Sequence, residues 1–159
     1  MTVPILIAIF ITAAMIGIGG ATTQIGRWYK DELRKPSWNP PDWLFGPAWG
    51  VILACAGGAG ALAWIHARSA PERLLVIGAF AVNIVFHSLW SPLFFNLRRP
   101  DWALMEVPFL WLSILAVIIV VTPISLLAGL LLAPYLLWVA FAAFLNFTIV
   151  RLTPPFGRS

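Results

Sequence analysis

The chain has 159 residues, of which 61% are hydrophobic and only 10% are charged, and its formal net charge is +4. Soluble domains carry roughly 25% charged residues, so a soluble fold of this length could not cover its surface with so few charges. We expect one membrane domain, residues 1–159, whose natural solvent is lipid.

Five stretches are long and apolar enough to cross a bilayer. A helix that rises about 1.5 Å per residue needs about 20 apolar residues to span a hydrocarbon core of about 30 Å. The candidate spans are residues 3–25, 45–65, 74–97, 102–121 and 125–150. They predict an all-α membrane protein, a bundle of five transmembrane helices. An odd number of spans argues against an inverted-repeat transporter.

The basic residues lie between the spans, where positive charge marks the cytoplasmic face, and this placement excludes nucleic acid as a partner. Arg68 and Arg73 share a side with the N-terminus. The positive-inside rule therefore predicts an outside N-terminus, a cytoplasmic loop 1 and C-terminus, and a bacterial inner membrane or an equivalent organelle membrane. The basic residues of the other side are Arg27, Lys30, Arg34, Lys35, Arg98, Arg99, Arg151 and Arg158.

Small residues recur at every fourth position on one face of the first span and of the second. Such faces let helix backbones approach closely in lipid. The pattern fits close packing within the chain, and it also fits a seam between two copies. The residues are Ala13, Gly17 and Ala21, then Cys55, Ala59 and Ala63.

Loop 1, residues 26–44, is the one long connection that the five spans leave. It holds four aromatic residues and three prolines, and the prolines cannot all lie within one helix. Trp and Tyr favour the membrane interface, so an interfacial belt is one interpretation. A structured lid over a pocket is the other, since long ordered loops tend to be functional.

The third span places Asn83, His87, Trp90 and Phe94 on one helical face, at i, i+4, i+7 and i+11. Polar groups at membrane depth are costly without a partner, so Asn83 and His87 should point into the bundle or a cavity. They could bond a neighbouring helix or a ligand. No residue near His87 completes a metal site.

The last two spans carry a single acid and a second aromatic face. We expect Glu106, near the start of the fourth span, to be solvated or paired with an arginine. In the fifth span Trp138, Ala142 and Leu145 share a face, with Asn146 beside them. Ala142 leaves room there for a flat group. No conventional catalytic constellation is present, so we assign no catalytic residue.

Three groups of residues, in this order on a five-span chain, resemble the translocator protein family, whose members are also described as tryptophan-rich sensory proteins or peripheral benzodiazepine receptors. The first is Trp28-Tyr29, Leu33, Lys35-Pro36-Ser37-Trp38 and Pro40-Pro41, followed by Trp49; the second is Trp90-Ser91-Pro92-Leu93-Phe94-Phe95; the third is Pro134-Tyr135-Leu136-Leu137-Trp138, Phe141-Ala142, Leu145-Asn146 and Arg151-Leu152.

The resemblance implies a five-helix bundle, usually a homodimer, with a pocket that opens toward loop 1. It implies tetrapyrrole ligands such as protoporphyrin and haem and, in some members, cholesterol and isoquinoline or benzodiazepine-type compounds. No obligatory cofactor is implied. By residue match, Trp49, Trp90, Trp138 and Ala142 would line the pocket, and loop 1 would cap it with Trp38 and Pro41.

The chain departs from the family at four positions. Asn83 stands where the family often has Gln, and His87 where it often has Asn, so hydrogen-bonding capacity is kept but its reach changes. Phe147 replaces the Tyr of a sterol motif and therefore lacks its hydroxyl. Thr153 replaces a common Asn.

Three hypotheses remain open at this point. The first is a membrane-embedded tetrapyrrole-binding protein that senses, delivers or regulates porphyrins, with Asn83 and His87 orienting the polar edges of the ligand and loop 1 cations reaching its carboxylates. The second is an enzyme that degrades bound porphyrin with light and oxygen. The third is a transporter, which the odd helix count and the scarcity of intramembrane charge disfavour.

Overall fold

The chain folds as a bundle of long helices in a computed structural model that describes residues 2–23 and 25–153. Met1, Gln24 and residues 154–159, which include Arg158, lie outside the described residues. The helices are α1 Thr2–Thr22, α2 Asp42–His66, α3 Ala70–Ser91, α4 Pro100–Val121, α5 Leu126–Leu131 and α6 Ala133–Leu152. Five helical segments are long and apolar enough to cross a membrane, as predicted: Thr2–Thr22, Asp42–His66, Ala70–Asn96, Pro100–Val121 and Leu126–Leu152.

The helices close into a ring rather than a flat layer. Helix α1 packs on α2, α2 on the α5–α6 pair, α6 on α4, α4 on α3, and α3 returns to α1. Neighbours in sequence are therefore not always neighbours in the bundle. The ring leaves an interior that all five spans help to line.

The third span ends in a widened turn because of Pro92. A proline has no N–H to donate and its ring clashes with the preceding turn, so regular α-helical bonding cannot continue through it. The chain instead forms a π-helical turn over Pro92–Asn96, closed by the Leu97 N–H donating to the Pro92 carbonyl oxygen (2.9 Å). Arg98 then takes a positive φ of 53° and turns the chain toward α4.

The fifth span, expected as one continuous helix, is broken at Leu132. Pro134 cannot donate to Leu130, and the single residue Leu132 separates the end of the short helix α5 from the start of α6. The Leu132 N–H donates to the Gly129 carbonyl oxygen (3.1 Å) and thereby tightens the last turn of α5. The break leaves both pieces within one candidate span.

The end of the bundle away from loop 1 is close-packed, and we call it the tight half. Helices α2, α4, α5 and α6 meet there on small and β-branched side chains. A Cβ added to Gly129 would overlap the hydroxyl oxygen of Thr122 and lie 3.2 Å from the Cβ of Thr122, so a larger residue could enter this crossing only if Thr122 moved. The side chains of the tight half that are fully or almost fully buried include Ala59, Ala63, Val117, Val121, Ala128 and Leu132.

The two small-residue faces have different environments. In α2, Ala59 and Ala63 are buried against the rest of the chain. In α1, Ala13, Gly17 and Ala21 are all exposed. The pattern therefore marks internal packing in α2, whereas the α1 face meets no other part of the described chain closely.

Loop 1 lies against the bundle end that the tight half does not occupy. It begins with a π-helical turn, Trp28–Glu32, and α2 starts at Asp42, within the stretch predicted as loop. Tyr29 and Leu33 are buried and pack with Phe94 and Leu145. The Arg34 N–H donates to the Thr153 hydroxyl (3.3 Å) and so connects loop 1 with the end of α6.

Candidate functional site, an aromatic cavity inside the bundle

A cavity of about 470 Å³ lies inside the ring at the loop 1 end. It is bounded by the C-terminal halves of α1, α3 and α6 and by the N-terminal half of α2. Ligand sites in proteins are typically concave, mostly apolar and roughly 300–1,000 Å³ in volume. The cavity has the size and position of a small-molecule site.

Indole rings form the wall opposite α1. Trp49 of α2 meets Trp138 of α6 edge to face, with ring centroids 6.5 Å apart, and it meets the His87 ring of α3 at 5.1 Å. Phe45 lies one turn before Trp49 and contacts Trp138 from the other side at 6.0 Å. Aromatic pairs favour edge-to-face arrangements, so these contacts stabilise the positions of the rings in this wall.

A second aromatic wall is built by the end of α3 and its widened turn. Trp90 stacks on Phe94 at 5.1 Å with 24° between the ring planes, and Phe95 tilts against Phe94 at 4.8 Å. The π-helical turn that Pro92 begins carries both phenylalanines. The widened turn that begins at Pro92 therefore shapes the cavity.

His87 lines the cavity and also joins two helices. Its Nδ1 is hydrogen-bonded to the Tyr135 hydroxyl of α6 (2.9 Å). One ring nitrogen is thus engaged within the bundle, and the ring edge borders the cavity. The two interpretations left open for His87, a helix tie and a ligand contact, are compatible in this geometry.

Asn146 likewise lines the cavity and joins two helices. With its amide oriented to match its neighbours, it donates to the Pro100 carbonyl oxygen (3.0 Å) and accepts from the Leu104 N–H (3.1 Å) of α4. These bonds set the α4–α6 register beside the cavity.

Asn83 lies outside the cavity lining, although sequence reasoning grouped it with His87. Its Nδ2 donates to the Ser113 hydroxyl of α4 (3.0 Å), and that hydroxyl donates to the Leu110 carbonyl oxygen (2.7 Å). Asn83 is one turn farther from loop 1 than His87, where the bundle has already closed. In this structure it is an interhelical tie.

Trp38 and Pro41, the two expected cap residues, are also outside the lining. Trp38 stacks on Phe144 at 5.4 Å and contacts Phe141 at 6.1 Å, on the outer side of α6, and it stays 43% exposed. Pro41 is exposed at the start of α2. Trp38 therefore holds loop 1 against α6, and neither residue faces the cavity.

Ahead of α2, the loop 1 residue that lines the cavity is Tyr29, and Asp42 and Trp43 line it from the start of α2. Burial, reinforced by the negative charge of Asp42, raises the pKa of Tyr29 to about 12. The Lys35 ammonium lies 4.0 Å from the centre of the Tyr29 ring. Asp42 is the one charged residue among the described lining residues, which include no Lys or Arg. The cationic side chains of loop 1 therefore lie outside the cavity lining, and the ammonium group of Lys35 lies against Tyr29.

Glu106 contradicts the expectation that it would be solvated or paired with arginine. It is buried, and neither carboxyl oxygen has a hydrogen-bond partner among the described residues. The arginine at that end of α4, Arg99, bonds Asp101 instead, through Nε at 2.8 Å. The sequence prediction was wrong because it judged depth by distance from the helix start, whereas the helix face decides burial.

The structure thus brings seven of the ten predicted site residues to one cavity: Trp49, His87, Trp90, Phe94, Trp138, Ala142 and Asn146. Sequence reasoning missed Tyr29, Phe45 and the α1 wall around Gly19 and Gly20. The sequence pattern that could have indicated burial of Tyr29 is its spacing of four residues from the apolar Leu33. The lining residues that α1 contributes include no aromatic residue, and Thr22 is the polar one among them.

A ring of membrane-crossing helices around an aromatic cavity, with an ordered loop at the same end of the bundle, defines an integral multi-pass membrane protein with an internal ligand-sized site. Residues 5–152 match the model of the TspO/MBR family. The chain belongs to this family.

Curated relatives agree with that assignment. The chain is 38% identical to the tryptophan-rich protein TspO of Chlorobaculum tepidum, over 87% of this chain and 89% of that one. It is 35% identical to the protein CrtK of Rhodobacter capsulatus, over 97% and 96%. It is 35% identical to the human translocator protein, over 79% and 74%.

Proposed function

We propose that this protein binds tetrapyrroles, porphyrin or haem, inside the bundle and acts in their sensing, transport or regulation. The observation that carries the proposal is the cavity wall of Trp49, Trp90 and Trp138. A flat aromatic macrocycle can stack on indole faces and bury its apolar surface at the same time. The family resemblance points to the same ligands, with sterols and isoquinoline or benzodiazepine-type compounds as further candidates.

The polar groups of the cavity suit such a ligand. His87 and Asn146 border it with their ring and amide. The rings of Trp90 and Trp138 line the cavity, and their Nε1 atoms are buried without a hydrogen-bond partner among the described residues. We therefore assign ligand contact to these four residues, together with Trp49, Phe94 and Ala142.

Charge at the mouth sets the orientation of the ligand. The carboxylates of a porphyrin would be poorly placed beside Asp42 and well placed near the Lys35 ammonium, outside the lining. The macrocycle then enters with its apolar edge first. Loop 1 acts as a lid, and Tyr29 and Leu33 hold one side of it against the bundle.

A tryptophan-fluorescence titration with protoporphyrin IX, haem and cholesterol tests the proposal. Saturable quenching by both tetrapyrroles at equal stoichiometry supports it. Saturation by cholesterol alone would reassign the cavity to sterols. Quenching that rises linearly with every ligand would contradict a defined site.

A second candidate is oxidative degradation of the bound porphyrin by molecular oxygen under light. The contact of Trp49 with Trp138 at 6.5 Å favours it, because it places two oxidisable indole rings beside the ligand. Illumination of the protoporphyrin complex in air should then yield a new absorbing product. Product formation that persists in both Trp49→Phe and Trp138→Phe would exclude a tryptophan-dependent reaction.

We propose a membrane topology with loop 1 and the C-terminus in the cytoplasm. Support comes from the uneven distribution of Lys and Arg across the two sides of the sequence. A tag at the C-terminus should resist protease added outside intact cells. Digestion of that tag without lysis would reverse the topology.

We also propose a homodimer in which α1 meets a second copy. The exposed Ala13, Gly17 and Ala21 form a face that permits close helix approach. With Cys55 replaced by Ser, Gly17→Cys should cross-link on oxidation. Leu137→Cys, on the exposed face of α6, is the matched control. Equal cross-linking of both variants would contradict an α1 seam.

A further inference from the structure

Two π-helical turns, Trp28–Glu32 of loop 1 and Pro92–Asn96 after α3, pack on each other at one end of the bundle. Tyr29 of the first turn tilts against Phe95 of the second, with ring centroids 5.5 Å apart. A second pocket, of about 140 Å³, lies beside this contact and shares Phe95 with the aromatic cavity of about 470 Å³. The second pocket therefore has room for a small group but not for a macrocycle.

Two arginines supply the positive charge of this second pocket, which we call the arginine pocket. Within the described chain, neither arginine forms an ion pair or stacks on an aromatic ring, whereas the neighbouring Arg99 does both. With Glu32, the pocket carries two positive charges and one negative charge, so it is complementary to an anion of single charge. The lining residues are Gly26, Arg27, Trp28, Glu32, Phe95 and Arg98.

The backbone of Arg98 has a conformation that favours glycine, with a φ of 53°. The widened turn closes around it, since the Arg99 N–H donates to the Leu93 carbonyl oxygen (3.0 Å). A glycine would adopt this backbone without steric cost. An arginine at a strained position therefore points to a use for its side chain, and this side chain belongs to the pocket lining.

The arginine pocket lies where two membrane-crossing segments end. The first segment ends at Thr22 and the third at Asn96, so both arginines follow just beyond the hydrocarbon core, at the depth of lipid headgroups. Guanidinium groups recognise phosphate through paired hydrogen bonds. Ile25 and Leu97, close to the arginines in sequence, expose apolar side chains that acyl chains can cover.

From this geometry we propose that the arginine pocket binds the phosphodiester of a membrane phospholipid whose headgroup carries a single negative charge. Arg27 and Arg98 donate to the phosphate oxygens, and the acyl chains lie along Ile25 and Leu97. A soluble phosphate monoester shares the phosphate chemistry, but it carries about −1.5 to −2 charges at pH 7 and has no acyl chain. The arginine pocket is independent of the ligand that occupies the aromatic cavity.

Titration of full-length protein in a non-ionic detergent with dihexanoyl phosphatidylglycerol tests the proposal. Arg27→Gln and Arg98→Gly should each weaken lipid binding by about fivefold, the scale of an exposed charge contact. Arg34→Gln is the matched control, because it removes the same charge from loop 1 outside the pocket lining. R98G should not lower the thermal midpoint, since glycine accepts a positive φ. R27Q changes a residue of ordinary helical backbone (φ −54°, ψ −42°) and so tests the pocket whether or not R98G folds.

Unchanged lipid binding in R27Q would overturn the proposal. Equal weakening in R34Q would also overturn it, because it would show a general attraction of anions to basic residues. sn-Glycerol 3-phosphate tests the soluble source of phosphate: binding as tight as that of the lipid would contradict a phospholipid site, and displacement of the lipid only at much higher concentration supports one. Protoporphyrin IX affinity should be equal in R27Q, R98G and R34Q. A loss of that affinity in R27Q and R98G, with lipid binding intact, would assign the pocket to the cavity ligand instead.

Discussion

The two ends of the bundle use apolar side chains in opposite ways. The tight half fills its interior with small and β-branched residues such as Ala59 and Val117, which leave no room for a ligand. The loop 1 half lines its interior with large aromatic rings that pack on one another and enclose about 470 Å³. The comparison indicates that stability is concentrated at one end, so that the other can hold a cavity and unpaired polar atoms.

The largest expected effect is overpacking of the tight half. Ala59 has no exposed surface, so Ala59→Leu should destabilise the protein by about 1–3 kcal/mol or prevent folding. Ala54→Leu, on the exposed side of the same helix, is the control. Thermal unfolding in detergent measures both. Equal midpoints for the two variants would show that the tight half is not the main source of stability.

Replacing an indole ring of the cavity wall by a smaller phenyl ring should affect ligand binding rather than folding. Trp49→Phe and Trp138→Phe each lose part of an aromatic contact, and we expect porphyrin affinity to fall by about 0.5–1.5 kcal/mol in each case. Trp64→Phe, which changes an indole stacked under Arg73 at the other end of α2, should leave affinity unchanged. Fluorescence or absorbance titration distinguishes these outcomes. A loss of affinity in all three variants would indicate a global effect instead.

The hydrogen bond between His87 and Tyr135 joins the cavity to the packed helices. Tyr135→Phe removes the partner of Nδ1, and His87→Ala removes the ring. We expect each change to weaken porphyrin binding by about 1 kcal/mol, with the double variant scarcely worse than either single one. Additive losses would mean that the two residues act separately. Unchanged porphyrin binding in a folded H87A variant would mean that His87 only links α3 to α6.

The smallest expected effect concerns the mouth. In the folded protein Tyr29 has a pKa of about 12, so it stays neutral until the pH approaches 12. An unfolded tyrosine ionises near pH 10. Its protonated form therefore favours the docked loop, and that contribution is present below pH 10 and is lost as the pH rises toward 12. Because the chain has two tyrosines, an absorbance titration of Tyr135→Phe reports Tyr29. Ionisation near pH 10 would mean that loop 1 does not bury it.

Much of the fold was predictable because apolar length determines membrane spans. All five spans were predicted from composition, and the cavity face of α3 from the spacing of His87, Trp90 and Phe94. Details that depend on partners were not predictable. Asn83 lies on the same helical face as His87. Whether its side chain meets the cavity or the packed interior depends on where α4 lies, which the sequence of α3 does not show. The break at Leu132 and the π-helical turn after Pro92 follow from local proline chemistry that hydropathy ignores.

Loop 1 shows the same limit. Its prolines and aromatics predicted an ordered segment, and Tyr29 and Leu33 are indeed buried. The choice of which aromatic residue turns inward could not be read from composition, since Trp38 and Tyr29 are both amphipathic. The outer face of α6, with Phe141 and Phe144, decides the position of Trp38.

Occupancy of the cavity by a porphyrin is the central claim, and one paired titration tests it most directly. Ala142→Leu fills the cavity from α6, whereas Ala140→Leu adds the same methylenes to the exposed side of that helix. The account predicts saturable quenching by protoporphyrin IX in the wild type and A140L, and at least a tenfold loss of affinity in A142L with an unchanged thermal midpoint. Equal affinity in A142L and A140L would place the ligand outside the cavity.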